Sequence, residues 1–185
     1  GTYSNLNFAK KTFCKLFKRP SIFLDRDGVI NSDKGYVHTL KKFQLRKNVL
    51  NALKYLNNKK INIFIVTNQA GIAKNYFTEN TFIKFQRNIK TIFEKKNIFI
   101  NDIEYCPYHT KAIIKKYKKK SLYRKPGNLM IEKIKKKWGV DLKKSYMIGD
   151  KRSDYLAAKK SKLYFEYVES DIFKQIKKIN KKFNF

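Results

Sequence analysis

Acidic residues are scarce in this chain. Of its 185 residues only 14 are Asp or Glu, whereas 44 are Lys or Arg, and the formal net charge is +30. Such an excess excludes no fold, but it favours anionic partners such as phosphorylated metabolites, nucleic acids or acidic membrane surfaces. The lysines are spread along the chain instead of forming one block, which favours a compositional origin over a nucleic-acid footprint.

Cysteine and long apolar runs are also rare. Only Cys14 and Cys106 occur, which argues against a disulfide-stabilised fold and favours a reducing compartment, so we expect a cytoplasmic protein. No apolar run reaches the length needed to span a membrane. Residues 1–20 are basic but contain no continuous apolar segment, so we expect a basic N-terminal arm, either a short helix or a loose segment, instead of a signal peptide. The remaining residues, 21–185, are enough for one domain with a substantial core.

Strand and helix patterns alternate through that domain. Short apolar runs predict strands at 21–25, 61–66, 103–106, 145–148 and 163–168. Apolar stripes at helical spacing predict helices at 47–58, 79–96, 129–138 and 153–160, and a last helix that starts at Ser170 or Asp171 and extends to Ile179. This alternation predicts an α/β fold with a mainly parallel sheet covered by helices on both faces.

The first predicted strand ends in Asp25-Arg26-Asp27-Gly28. Residues two apart in an extended segment point the same way, so the two carboxylates could serve one site. Alone, the pattern is as typical of a turn that ends a strand as of a pair of catalytic carboxylates. The other strand ends favour the catalytic pair, because the carboxyl ends of parallel strands meet at one edge of the sheet. They supply Thr67 and Asn68, the pair Arg124 and Lys125, and Asp150 with Lys151. Carboxylate oxygens there suit Mg²⁺, and a hydroxyl with two cations suits a phosphoryl group.

With these residues the chain resembles the haloacid dehalogenase superfamily of phosphotransferases. Phe23 to Gly28, Val66-Thr67-Asn68, Arg124-Lys125-Pro126 and Gly149 to Asp154 are similar to its four motifs. Within it, the stretches 33–38 (Asp-Lys-Gly-Tyr-Val-His) and 67–73 (Thr-Asn-Gln-Ala-Gly-Ile-Ala) resemble the family of D-glycero-D-manno-heptose 1,7-bisphosphate 7-phosphatases and histidinol-phosphate phosphatases. The resemblance spans residues 22–179 and implies the three-layer Rossmann-like fold of that superfamily, here with no long insertion for a separate cap domain.

The resemblance also implies a mechanism. Asp25 would attack phosphorus and form an aspartyl-phosphate, while Asp27 would protonate the leaving oxygen and then activate water. Mg²⁺ would be bound by Asp25, the backbone carbonyl of Asp27 and Asp150, and Asp154 would orient the turn after Asp150. Thr67 and Lys125 would hold the phosphoryl oxygens. The substrate-contacting positions would be Asp33, Lys34, Gly35, Tyr36, Asn68, Gln69, Arg124 and Lys151, of which Arg124 and Lys151 could bind a second phosphate.

One departure concerns zinc. The family commonly holds a structural zinc ion on a Cys-x-His and a Cys-x-Cys pair before the Arg-Lys-Pro motif. Here only Cys106 is retained; Tyr108, Ser121 and Tyr123 replace the other ligands, and His109 is one residue out of register. One ligand cannot build a tetrahedral site, so we expect no zinc, with packing of Tyr108 and Tyr123 in its place.

The sequence leaves the substrate open. A Mg²⁺-dependent sugar-phosphate phosphatase of surface-polysaccharide biosynthesis is favoured by the Gly-Tyr-Val-His stretch. Histidinol-phosphate phosphatase and nucleic-acid 3′-phosphatase are the catalytic alternatives, and a non-catalytic binding module is the third. We expect a monomer that takes a small-molecule substrate, not nucleic acid or membrane, in an open site bordered by residues 31–43 and 107–125.

Overall fold

A computed structural model of the chain describes residues 19–185. Almost all of the predicted basic arm therefore lies outside the described residues. Five parallel strands form one sheet in the order β3-β2-β1-β4-β5. The strands are β1 (Ser21–Leu24), β2 (Asn62–Asn68), β3 (Asp102–Cys106), β4 (Ser145–Gly149) and β5 (Tyr164–Tyr167).

Six helices accompany these strands among the described residues. They are α1 (Val49–Asn58), α2 (Ala70–Ala73), α3 (Glu79–Glu94), α4 (Leu129–Trp138), α5 (Arg152–Lys160) and α6 (Ile172–Phe183). None of them is long and apolar enough to cross a membrane. The single-turn helix α2 was absent from the sequence prediction, because one turn is too short to show a helical period.

The helix ends follow from local chemistry. Thr78 caps α3 by accepting a hydrogen bond from the Thr81 amide at 3.1 Å, and the Asp171 carboxylate accepts from the first amides of α6. Gly139 ends α4 with a positive φ of 61°, a conformation that costs glycine little. Asp171, rather than Ser170, is thus the cap of the last helix.

The core lies on both faces of the sheet. On one face Ile22 and Leu24 pack in a cluster with residues of α1, α3 and α6. On the other face Phe23 packs with residues of α4 and α5. Because both faces of the sheet are covered, the central strand β1 is fully buried. This burial explains why its sequence is an almost continuous apolar run. The predicted three-layer α/β class is confirmed. The segments after β1 and β3 carry single 3₁₀ turns (Leu40–Lys42 and Lys115–Tyr117), with isolated β-bridges at Asp27–Asn31 and Asn31–Leu45 in the first, and no inserted domain.

Candidate active site

The polar strand ends converge at the carboxyl edge of the sheet. The register places Leu24, the last residue of β1, beside Ile65 of β2 and Ile148 of β4, so the segments that follow emerge together. They border a cleft of about 410 Å³. Its lining residues include these predicted site residues: Asp25, Asp27, Asp33, Gly35, Tyr36, Thr67, Asn68, Gln69, Arg124, Lys125 and Lys151.

Lys125 is the central cation of this cleft. Its ammonium nitrogen lies 2.6 Å from Oδ1 of Asp25 and 2.6 Å from Oδ1 of Asp154. It also donates to the carbonyl of Val66 at 2.8 Å. All three donor directions of the ammonium group are thus used, which fixes it between the two carboxylates at a buried position.

The same arrangement sets the protonation of Asp25. Burial raises the pKa of Asp25 to about 7, although the charge of Lys125 opposes the rise. Burial alone would lower the pKa of Lys125, but Asp25 and Asp154 outweigh it, so that pKa is raised. Oδ2 of Asp25 accepts no hydrogen bond from the described residues. One oxygen of this carboxylate is therefore available to a ligand.

Asp27 is held from three sides. Arg26 forms a bidentate ion pair with it, with Nη2 2.7 Å from Oδ2 and Nε 3.1 Å from Oδ1. The side-chain amides of Asn31 and Gln69 donate to it at 2.9 and 3.0 Å. Gln69 also donates to Oγ1 of Thr67 at 2.9 Å, so one amide links two of the predicted catalytic residues.

The position of Arg26 was not anticipated from the sequence. Its side chain is only 1% exposed, and its guanidinium carbon lies 5.4 Å from the ring centroids of both Phe82 and Phe85 in α3. Arg26 also donates to the carbonyl of Val37 at 2.7 Å, which ties the loop after β1 to the site. Such a desolvated cation is stabilised by the ring faces and by Asp27 together.

Three carboxylates could hold a metal ion. Asp25, Asp150 and Asp154 offer oxygen atoms that lie within 4.8 Å of one another. Both oxygens of Asp154 are engaged, by Lys125 and by the amide of Lys151 at 2.9 Å. Oδ1 of Asp150 is buried and has no hydrogen-bond partner, and burial raises the pKa of this carboxyl. A buried carboxylate oxygen without a partner destabilises the folded state unless a cation binds it. This donor set therefore fits a hard divalent cation at Asp25 and Asp150.

Gly28 makes room for Asp150. A Cβ atom at Gly28 would lie 2.3 Å from Oδ2 of Asp150, and the backbone there has a φ of +92°. Both the close approach and the dihedral require glycine. The glycine of the Asp-x-Asp-Gly motif therefore sets the distance between the first and fourth strand ends.

Asn68 lines the cleft, so its predicted contact with substrate stays a prediction, and its side chain also binds the Lys125 backbone. Its side-chain amide donates to the Lys125 carbonyl at 3.0 Å and accepts from the Lys125 amide at 3.0 Å. This reciprocal pair fastens the loop after β3 to the end of β2. The nitrogen and the oxygen of the Asn68 side-chain amide thus each bind the Lys125 backbone and hold it in place.

The other predicted substrate contacts differ in their partners. Lys151 donates to Asp33 at 2.9 Å, and its ammonium nitrogen lies 3.8 Å from Oδ2 of Asp150. The guanidinium group of Arg124 donates to the Tyr108 carbonyl, at 3.4 Å, and has no carboxylate partner among the described residues. Lys34 is exposed and does not line the cleft.

Four residues that line the cleft have no role predicted from the sequence: Ala70, Lys74, His109 and Ser153. Lys74 donates to the Tyr36 hydroxyl at 2.8 Å. Its position just after the Thr-Asn-Gln-Ala-Gly-Ile-Ala stretch could have marked it. His109, which is one residue out of register with the family's zinc-ligand position, lies on the cleft wall.

Tyrosines stabilise residues 107–125, the loop in which the sequence resemblance places the family's zinc site. Tyr108 and Tyr123 pack against the cluster that contains Cys106. The Tyr123 hydroxyl donates to Glu104, and Glu79 accepts from Tyr105 and Tyr117 at 2.9 and 2.7 Å. The expected absence of zinc remains a prediction, and these contacts show what stabilises residues 107–125.

The comparisons with known proteins identify the family. A family model described as polynucleotide kinase 3 phosphatase matches residues 22–183. A D-glycero-beta-D-manno-heptose-1,7-bisphosphate 7-phosphatase of Rhodopseudomonas palustris is 36% identical over 159 residues, which are 84% of this chain and 88% of the relative. The chain belongs to this family of haloacid dehalogenase-like phosphatases. The phosphatase is also 36% identical, over 139 residues, to a D-glycero-alpha-D-manno-heptose-1,7-bisphosphate 7-phosphatase of Photorhabdus laumondii, with 75% of this chain and 76% of the relative covered.

Solved structures show the same fold. A Mesorhizobium loti protein described as a HAD-like phosphatase superposes on the phosphatase with a TM-score of 0.80 at 26% identity, covering 89% of this chain and 87% of the other. A D,D-heptose 1,7-bisphosphate phosphatase of B. bronchiseptica, complexed with magnesium and phosphate, gives 0.73 at 23% identity, with 86% of each chain covered. The predicted superfamily is confirmed, and the phosphatase is a phosphoric monoester hydrolase.

Proposed function

We propose that this phosphatase removes the 7-phosphate of D-glycero-D-manno-heptose 1,7-bisphosphate in the biosynthesis of surface polysaccharide. The observation that carries the proposal is the buried ion-pair set of Lys125, Asp25 and Asp154, which lies beside the hydrogen-bonded Asp27. The chain that contains this set is 36% identical to a relative named for that activity. Relatives specific for either anomer are equally similar, so the proposal names no anomer.

Mg²⁺ is the cofactor we propose. Asp25, Asp150 and the backbone carbonyl of Asp27 would hold it, since the unpartnered oxygen of Asp150 and the free oxygen of Asp25 suit a hard cation. When bound, Mg²⁺ would offset the charge between the Asp25 carboxylate and the phosphate. We propose no zinc site, because Cys106 has no second ligand at the family's positions.

The remaining chemistry belongs to the side chains. Asp25 would attack phosphorus, and Lys125 would keep that carboxylate ionised and oriented against its burial. Asp27 would donate a proton to the leaving sugar oxygen and take one from the attacking water. Arg26, Asn31 and Gln69 hold Asp27 in position for both steps. Thr67 and Lys125 would bind the phosphoryl oxygens as charge moves onto them, with the Lys125 ammonium group exchanging one of its three present contacts for a phosphoryl oxygen.

The substrate's second phosphate would bind on the other wall of the cleft. We propose Asp33, Gly35, Tyr36 and Gln69 as sugar contacts and Arg124 as the main ligand of the non-reacting phosphate. Arg124 has no carboxylate partner, whereas the charge of Lys151 is compensated by Asp33. Lys151 would therefore contribute less than Arg124, and Lys34 would act only if the loop around it moved.

A second candidate function is hydrolysis of nucleic-acid 3′-phosphates. It is favoured by the description of the matching family model and by the net charge of +30. Heptose 1,7-bisphosphate, histidinol phosphate and a 3′-phosphorylated oligonucleotide should be assayed side by side with Mg²⁺. We expect the highest kcat/KM for the heptose bisphosphate, and a preference for the oligonucleotide would overturn the proposal.

We further propose that the enzyme acts as a monomer in the cytoplasm, where free cysteines such as buried Cys106 remain reduced.

A further inference from the structure

A second cleft adjoins the catalytic one. Its volume is about 440 Å³, and it shares His109, Arg124 and Lys125 with the catalytic cleft. Its other walls come from the loop before Arg124 and from the end of α5, where Lys160 lies. Arg124 therefore stands at the junction of the two clefts.

The walls of this second cleft are cationic. Lys119, Lys120, Lys160 and Arg124 line it, and no Asp or Glu is among its lining residues. None of these four cations takes part in an ion pair with the described part of the chain. Four uncompensated cations around one concavity repel one another, and an anion placed there would relieve that repulsion.

The catalytic cleft is arranged differently. There Lys125 is paired with two carboxylates, and Lys151 is paired with Asp33 and lies near Asp150. An additional anion therefore gains less from these lysines than from the unpaired cations beyond Arg124. A substrate with its reacting phosphate at Asp25 and a second phosphate at Arg124 would extend toward the second cleft.

We propose that the second cleft is the subsite for the non-reacting phosphate, with Lys120 and Lys160 as specificity-determining residues. The ligand class is an organic bisphosphate, and Lys120 and Lys160 select it over the monophosphate. This inference rests on the proposed function only in assuming that the substrate carries two phosphates. It changes the expected recognition, because the second phosphate would be bound by Arg124, Lys120 and Lys160 and not by Lys151.

The test compares two double variants of equal charge. K120Q/K160Q removes two cations of the cleft, whereas K118Q/K159Q removes the adjacent exposed lysines, which do not line it. The reporter reaction is hydrolysis of 4-nitrophenyl phosphate, which has a single phosphate. Fructose 1,6-bisphosphate and fructose 6-phosphate serve as competing inhibitors, and the ratio of their inhibition constants measures selection for a second phosphate.

We expect K120Q/K160Q to lower the preference for the bisphosphate by about tenfold, since two charge-assisted contacts at a partly solvated site are lost. Its kcat and KM for 4-nitrophenyl phosphate should equal those of wild type, and K118Q/K159Q should keep the full preference. An unchanged preference in K120Q/K160Q, or an equal loss in both variants, would overturn the subsite. Failure of wild type to hydrolyse heptose 1,7-bisphosphate would overturn the proposed function instead, and the inhibition ratio would still decide on the subsite.

Discussion

The ammonium group of Lys125 and the carboxylate of Asp25 form a 2.6 Å ion pair in which the two side chains are only 3% and 8% exposed. Desolvation of such a pair is costly, and the second carboxylate, Asp154, adds to the attraction that offsets it. Removal of either charge therefore affects both the reaction and the protonation of the remaining group.

Asp25→Asn should abolish turnover. The amide cannot attack phosphorus, and we expect kcat to fall by roughly 10³-fold or more. The fold should persist, because Lys125 keeps its contacts with Asp154 and the Val66 carbonyl. Steady-state kinetics with a matched thermal unfolding curve is the measurement, and activity close to wild type would refute Asp25 as the nucleophile.

The loss of kcat caused by Asp27→Asn should depend on the leaving group of the substrate. Loss of the general acid should lower kcat by about 10²- to 10⁴-fold with a sugar phosphate. The loss should be smaller with 4-nitrophenyl phosphate, because nitrophenolate leaves without a proton. Parallel assays of both substrates give the comparison. An equal loss for the two would mean that Asp27 does not protonate the leaving oxygen.

Asn68→Ala should reduce kcat more than it changes KM. The variant removes both hydrogen bonds to the Lys125 backbone, so the Lys125 ammonium group loses part of its positioning. We expect the free energy of unfolding to drop by about 1–3 kcal/mol. Urea denaturation and steady-state kinetics measure the two effects. A rise of KM alone, without loss of stability, would favour the sequence prediction that Asn68 contacts substrate.

The tyrosines around residues 107–125 should make the protein sensitive to alkali. Burial, then hydrogen bonds to Glu79 or Glu104, raises the pKa of Tyr105 and Tyr123 above the ordinary value of 10.0. The folded state therefore keeps these protons longer than the unfolded state, so stability is full below about pH 10 and falls as pH rises beyond it. Tyr105→Phe should flatten this decline in urea denaturation at pH 9 and 11. Tyr167→Phe, at a 52% exposed position, should not.

Metal content provides a further test. The purified protein should lose activity on treatment with EDTA and regain it with Mg²⁺, since the unpartnered Asp150 oxygen needs a hard cation. Elemental analysis should find no stoichiometric zinc, because the loop is held by Tyr105, Tyr117 and Tyr123. One zinc ion per chain would contradict this expectation.

Much of the fold was predictable from the spacing of apolar residues and from the residues that begin and end helices. Helix α4 has the predicted bounds, since Asn128 precedes its first apolar residue and Gly139 ends it. The site residues at strand ends were also predictable in part, because parallel topology brings them to one edge. The environment of Arg26 was not predictable, since it comes from long-range contacts with the rings of Phe82 and Phe85. Local sequence carries no signal for such contacts.

The strand order has a consequence for when activity can arise during synthesis. Strand β1 pairs with β4, which is synthesised about 120 residues later, and the charge of Lys125 is compensated in part by Asp154 just beyond β4. A nascent chain that stops before β4 has an open edge beside Asp25 and lacks Asp150 and Asp154 altogether. Catalytic competence therefore appears only after β4 and Asp154 have been synthesised, and products terminated before β4 should be hydrolytically silent.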